Sequence, residues 1–147
     1  MTVPFHLTSR WPPDAHRINA EDTVRLAVLA GPGDGIDHSV IFEVWDAGGA
    51  QPINSHPAST ETFLFLRGSG LAESDGEVTA VQAGQVLVLP AGSRHRICNS
   101  GAGRLYAITT MLPDEGFAEL IRCGPRVPLD AEDLAVLAGP GPAQGGL

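Results

Sequence analysis

The sequence predicts an all-β domain, an antiparallel sandwich or barrel, and three observations carry that prediction. Short runs rich in β-branched and apolar residues recur at roughly ten-residue spacing. Turn signals close the runs: Gly31-Pro32-Gly33-Asp34-Gly35, Gly48-Gly49, Gly68-Ser69-Gly70, Asp75-Gly76 and Pro90-Ala91-Gly92. Helical patterning shows only near the C-terminus. A chain of 147 residues is long enough to bury one core without staples.

Residues 1–22 hold Pro4, Pro12 and Pro13 without a sustained period, and read as an extended arm lying on the domain or on a partner subunit. Strands are expected at 23–30, 38–45, 62–67, 85–89, 95–99 and 104–111, with a hairpin over 71–81. Its turn is Asp75-Gly76, because both residues tolerate positive φ. Gln51 to His56 reads as a further short strand, with Pro52 confining it to an edge or a strand start. The β-barrel therefore spans 23–112.

Residues 113–147 read as a helical segment and a flexible tail. Over 113–122, Pro113 and two acids occupy a first turn and Arg122 the last. Over 130–138, Asp130 is the N-cap, Glu132 and Asp133 follow, and Gly139-Pro140 stops the helix. Beyond Gly139 the chain is expected to be loose.

Composition excludes several classes of partner. A formal charge of −8 argues against nucleic acid, which needs clustered cations; all nine basic residues are arginine. There is no basic amphipathic helix for a membrane surface, no apolar run of spanning length and no signal peptide in residues 1–11. Cys98 and Cys123 lack metal-finger spacing and read as free thiols of a reducing cytosol. The expectation is a soluble cytoplasmic protein.

The chemistry-bearing residues lie between 48 and 99. Side chains two apart on a strand share a face, so Asn54 and His56 point the same way, and Pro57 favours an extended His56. Glu61 shares a face with Phe63 and Phe65. If 51–56 and 61–67 are neighbours, an imidazole and a carboxylate meet above an aromatic-lined floor. His95 follows the Pro90-Ala91-Gly92 turn and can reach the same point from a third strand. Two imidazoles and one carboxylate form a three-ligand set with open positions, suited to Fe(II) and also to Zn, Mn, Ni, Co or Cu. Arg94 and Tyr106 are candidates to line the mouth and hold a carboxylate. Phe63 and Phe65 are candidates to line the cavity, and Glu61 to act as a proton-transfer base. Asn99 reads as a structural tie, and His6, His16 and His38 as surface or hydrogen-bonded residues.

Two spaced motifs enclose these residues: Gly48-x5-Asn54-x-His56-x4-Glu61-x6-Gly68 and Gly84-x5-Pro90-x-Gly92-x2-His95-x3-Asn99. Together they resemble the paired motifs of small single-domain cupins, which are double-stranded β-helices of the jelly-roll type. The second motif matches at every fixed position; the first has Asn54 where that family usually carries its first histidine. The resemblance implies His56, Glu61 and His95 as ligands of one divalent metal, with Asn54 in the position of the missing ligand. There Asn54 is a weak ligand, a holder of metal-bound water or a substrate contact.

The resulting expectation is a metal-dependent enzyme acting on a small organic molecule in the barrel, with an Fe(II) oxygenase as the leading subtype. The alternatives are a non-oxidative lyase, isomerase or cyclase, and a non-catalytic binding protein with a degraded metal site. Thr62, Leu64 and Leu66 on one face, and Leu87 with Leu89, leave both faces of the central strands largely apolar. One fills the barrel, and the other is to be covered by the second sheet, the arm, the tail helices or another subunit. The resemblance implies a homodimer.

Overall fold

A computed structural model describes residues 5–8 and 10–139. Its strands, in chain order, are β1 (Ala15–His16), β2 (Val24–Ala30), β3 (Ser39–Trp45), β4 (Thr60–Arg67), β5 (Ser69–Ser74), β6 (Glu77–Gln82), β7 (Val86–Leu89), β8 (His95–Asn99), β9 (Leu105–Leu112) and β10 (Arg126–Val127). Two short helices, α1 (Phe117–Arg122) and α2 (Ala131–Ala138), flank β10. The strands form a seven-stranded sheet in the order β10-β1-β2-β3-β9-β4-β7 and a three-stranded sheet in the order β6-β5-β8. Every named pairing is antiparallel.

Strand periodicity sorts the side chains of the large sheet into two sets. The inner set, with Leu26, Ile41, Trp45, Phe63, Phe65, Leu105 and Ala107, packs against Ala72, Val81 and Ile97 of the small sheet to make the main core. The outer set, with Ala27, Phe42, Val44 and Tyr106, is buried a second time beneath Val127, Leu129, Val136 and Leu137. The segment carrying β10 and α2 thus covers the β2-β3-β9 side of the sheet. The β4-β7 side is left bare, and Leu64, Val86, Val88 and Leu112 are exposed on it.

The turns are those the sequence calls for. Asp75 and Gly76 have φ of 49° and 85°, the paired positive values that a two-residue hairpin needs. Gly68 has φ 93°, and a Cβ there would lie 2.7 Å from the Arg104 carbonyl oxygen, so no other residue fits.

Within the arm, β1 pairs with both β2 and β10, so the arm lies on the domain. Two elements differ from expectation. The helix expected at 113–122 begins only at Phe117, because Glu115 and Gly116 take left-handed conformations, φ 54° and 78°. Residues 49–56 are not a continuous strand. They run antiparallel along β8 through Asn99 N–H to Gly49 O (2.8 Å), Gln51 N–H to Ile97 O (3.1 Å) and the reciprocal Asn54–His95 pair (2.9 and 2.8 Å). Pro52 has no N–H to give, and the ladder breaks around it. The expected loose tail falls on residues 140–147, outside the described residues.

Candidate metal centre and cavity

The two sheets meet at one end of the sandwich, and there the three candidate ligands converge. Glu61 comes from the start of β4 in the large sheet, while His95 opens β8 in the small one. His56 lies at the end of the segment that runs along β8, and its carbonyl accepts from Gly92 N–H at 2.8 Å. Residues 51–56 pair with β8, and β4 pairs with β7 and β9. The condition that 51–56 and 61–67 be neighbouring strands is therefore not met, and imidazole and carboxylate meet across the gap between the sheets. Gly92 (φ 83°) makes the turn that brings His95 back to that point.

His95 Nε2 lies 3.0 Å from Glu61 Oε2, and His56 Nε2 lies 3.6 Å from the same oxygen. The two imidazole centroids are 5.7 Å apart. Among the described residues, this trio is the cluster of potential ligand groups whose donor atoms lie within 4.8 Å of one another. His95 Nδ1 faces the Ser93 carbonyl oxygen at 3.1 Å. A carbonyl can only accept, so Nδ1 carries the proton and Nε2 presents a lone pair to the centre. Phe117 and His56 pack in a T-shaped pair, with centroids 5.5 Å apart and ring planes at 71°.

Two atoms test whether these residues fit a metal ion. Glu61 Oε2 and His95 Nε2 are buried without a hydrogen-bond partner, although they face each other. Buried acceptors are seldom left unsatisfied, and a shared cation satisfies both at once. Two nitrogens and an oxygen suit Fe(II), Zn and the other divalent ions of intermediate softness.

Asn54 lines the cavity beside His56, with its amide N–H held by the Pro52 carbonyl at 3.0 Å. The other predicted contacts lie elsewhere. Tyr106 is on the outer face of β9, fully buried, and its hydroxyl donates to Asp133 Oδ1 at 2.9 Å. Strand alternation from Leu105 and Ala107 puts it there, so it does not reach the mouth. Phe63 and Phe65 stack at 6.1 Å inside the core and are absent from the cavity wall, so they support the site without lining it. Arg94 is exposed on the outer side of β8, in a shallow groove with Glu73 and Asp75. Asn99 is the structural tie expected of it, donating to the Trp45, Asp46 and Gly103 carbonyls.

A cavity lined by His56 and Glu61 of the trio has a volume of about 380 Å³, within the range of small-molecule sites. Its apolar wall includes Ile18, Val24, Leu26, Phe117 and Leu120; its polar wall includes Asp22, Gln51, Asn54 and Glu115. The sequence reading missed most of this wall, because arm and α1 residues carry no motif. Glu115 clamps the loop before β4 by accepting from Ala58 N–H and Ser59 N–H, both at 3.1 Å, and from the Ser59 hydroxyl at 2.7 Å. The Ser59 hydroxyl, first among these bonds, holds the Glu115 carboxyl below its ordinary pKa.

Glu43 was missed too. It sits on β3 without exposure, and its Oε2 accepts from the Gln51 amide at 3.1 Å while Oε1 has no partner. Burial first, and the nearby Glu61 charge second, push its pKa well above the ordinary glutamate value. The one signal in the sequence was a carboxylate in the middle of the apolar run HSVIFEVW.

A two-sheet jelly-roll barrel with a His-Glu-His cluster at its open end is the architecture of the cupins. Residues 41–111 match the cupin domain family, and the chain carries a cupin domain. No curated protein sequence matches the chain. Among solved structures, a predicted oxalate decarboxylase from Thermotoga maritima is similar at 19% identity and TM-score 0.64, over 73% of this chain and 97% of that one. KdgF from Halomonas sp. is similar at 16% identity and TM-score 0.61, over 74% and 94%. The Cnp3 cupin domain of Schizosaccharomyces pombe is similar at 17% identity and TM-score 0.59, over 69% and 74%. At such identities the likeness is one of fold. Among the described residues, no helix is long and apolar enough to cross a membrane.

Proposed function

We propose that the protein is a metal-dependent cupin enzyme acting on a small organic molecule, with Fe(II) as the leading metal and an oxygenase as the leading subtype. The observation that carries this reading is the pair of orphaned acceptors, Glu61 Oε2 and His95 Nε2, beside a cavity of ligand size. His56, Glu61 and His95 would hold the ion, and Asn54 stands next to its open side. A bound divalent ion supplies Lewis acidity and, when it is iron, a place for dioxygen. The chain supplies the rest. Ser93 fixes the tautomer of His95, Phe117 packs against the ring of His56, and the apolar wall limits access of water.

A second reading, non-oxidative lyase or isomerase chemistry, is favoured by Glu43. A buried carboxyl whose pKa is pushed up, hydrogen-bonded to a cavity-lining amide, suits proton storage behind the cavity wall. Anaerobic loading with Fe(II) and, separately, with Zn(II) separates the readings. Stoichiometric iron with substrate-dependent oxygen uptake supports the first, and turnover with zinc under nitrogen supports the second. Failure to retain any metal in stoichiometric amount overturns both and leaves a metal-free binding protein.

The bare side of the large sheet supports a homodimer. Leu64, Val86, Val88 and Leu112 form an exposed apolar stripe there, beside the unpaired edge of β7. Val88→Lys is expected to lower the molar mass seen in light scattering to that of the monomer.

A further inference from the structure

The charge of the cavity wall is one-sided. Asp22, Glu61 and Glu115 all line it, no arginine does, and the chain has no lysine to reach in from elsewhere. Glu61 is matched by the ion it would help to hold, but the other two are not. Glu115 keeps its charge, because its three hydrogen bonds all stabilise the carboxylate form. Asp22 accepts a single bond, from Asn19 N–H at 2.9 Å on Oδ2, which leaves Oδ1 available. His56 turns its Nε2 toward Glu61, 3.6 Å away.

The rest of the wall is mainly apolar, with Ile18, Val24, Leu26, Leu120 and the aromatic ring of Phe117. An anion entering here meets two carboxylates with no ion-pair partner among the described residues, half-buried Asp22 and exposed Glu115. A cation meets the opposite field and, at Phe117, an aromatic ring. From the composition of this wall, and resting on the proposed function of the same cavity, we infer that the substrate is a small, largely apolar molecule bearing a basic nitrogen, and that its ammonium group lies toward Asp22. Carboxylate substrates of similar shape are discriminated against by the wall.

The test is a matched probe set titrated into the zinc-loaded protein and followed by calorimetry: 2-phenylethylammonium, 2-phenylethanol, 3-phenylpropionate and trimethyl(2-phenylethyl)ammonium. The quaternary probe cannot ligate a metal, so its binding reports the wall alone. The expected order is both cations at least about tenfold tighter than the alcohol, with the carboxylate weakest, and a preference that shrinks at 1 M salt. Asp22→Asn, which keeps an acceptor for Asn19 N–H, is expected to remove most of the cation preference and leave the alcohol unchanged. Carboxylate binding as tight as the cation, no discrimination, or no binding of any probe at millimolar concentration overturns the inference. The same titration on chelator-treated protein keeps the two conclusions apart: loss of metal binding sinks the proposed enzyme, whereas cation preference without metal leaves the substrate class standing.

Discussion

The large sheet buries acidic groups on both of its faces, and the two faces treat them in opposite ways. On the outer face, Asp133 of α2 is fully buried and accepts from Arg25 (2.6 and 3.3 Å), Arg104 (3.0 Å), the Tyr106 hydroxyl (2.9 Å) and Asp130 N–H (2.9 Å). On the inner face, Glu61 and Glu43 are as deeply buried, yet each keeps an oxygen with no partner. A buried carboxylate whose every acceptor site is matched is a fastening: it docks α2 over Phe42 and Val44. A buried carboxylate left partly unmatched is a standing cost, retained where something else is to complete it.

The contrast can be broken from either side. The largest effect is expected for Asp133→Ala, which leaves buried Arg25 only the Pro128 carbonyl and Asp46, takes the acceptor from the Tyr106 hydroxyl, and should cost about 3–5 kcal/mol in urea unfolding. A loss under about 1 kcal/mol would show that the outer cluster is not a fastening. Glu61→Gln should do the reverse. Its new amide can donate to His95 Nε2 across 3.0 Å, so the metal-free protein should be as stable as wild type or more so. What it should lose is the gain from metal, about 2.7 kcal/mol for wild type at a metal concentration one hundred times Kd. Unfolding with and without added zinc measures both quantities.

Asn54→His comes next. An imidazole at that position should tighten zinc binding about tenfold, in line with the weight of one coordination contact. Unchanged affinity, with loss of turnover, would give Asn54 a substrate role instead. The smallest effect is a slope. Glu43 is held protonated in the folded state above the pH at which it ionises in the unfolded chain, so the folded state binds the extra proton. Stability therefore falls as pH rises from the ordinary glutamate value toward the raised one. Glu43→Gln should flatten that slope above the ordinary glutamate value and raise stability at its upper end, as urea midpoints across the pH series will report. Asp130 gives the opposite sign on the outer face. Its pKa is lowered to about 2 by Asp133 N–H and Arg104, so its contribution is lost as pH falls from the ordinary aspartate range to 2.

The barrel and the ligand trio were legible because they depend on local rules. Positive-φ glycines, a hairpin turn and period-two alternation fix each strand, and the spaced motifs fix where His56, Glu61 and His95 sit. Tyr106 was misplaced although alternation from Leu105 and Ala107 puts it outside; a mouth was assumed where α2 packs. The cavity wall was not legible, since Ile18, Asp22, Glu115 and Phe117 reach it only through the docking of the arm and α1. Nor did the sequence show that Glu115 would leave its expected helix to hold the 58–59 loop, a contact between residues 56 and 57 positions apart.

The reciprocal backbone pair between Asn54 and His95 has a consequence for how this centre can change. Both bonds run between main-chain atoms, so the spacing of the two positions does not depend on the side chain at 54. The scaffold is in that sense a socket. A residue at 54 can be exchanged for a stronger donor, a weaker one or none, and the neighbouring imidazole stays where it was. One codon therefore separates quite different coordination chemistries on the same barrel, and a lineage or a laboratory can cross between them without refolding the domain.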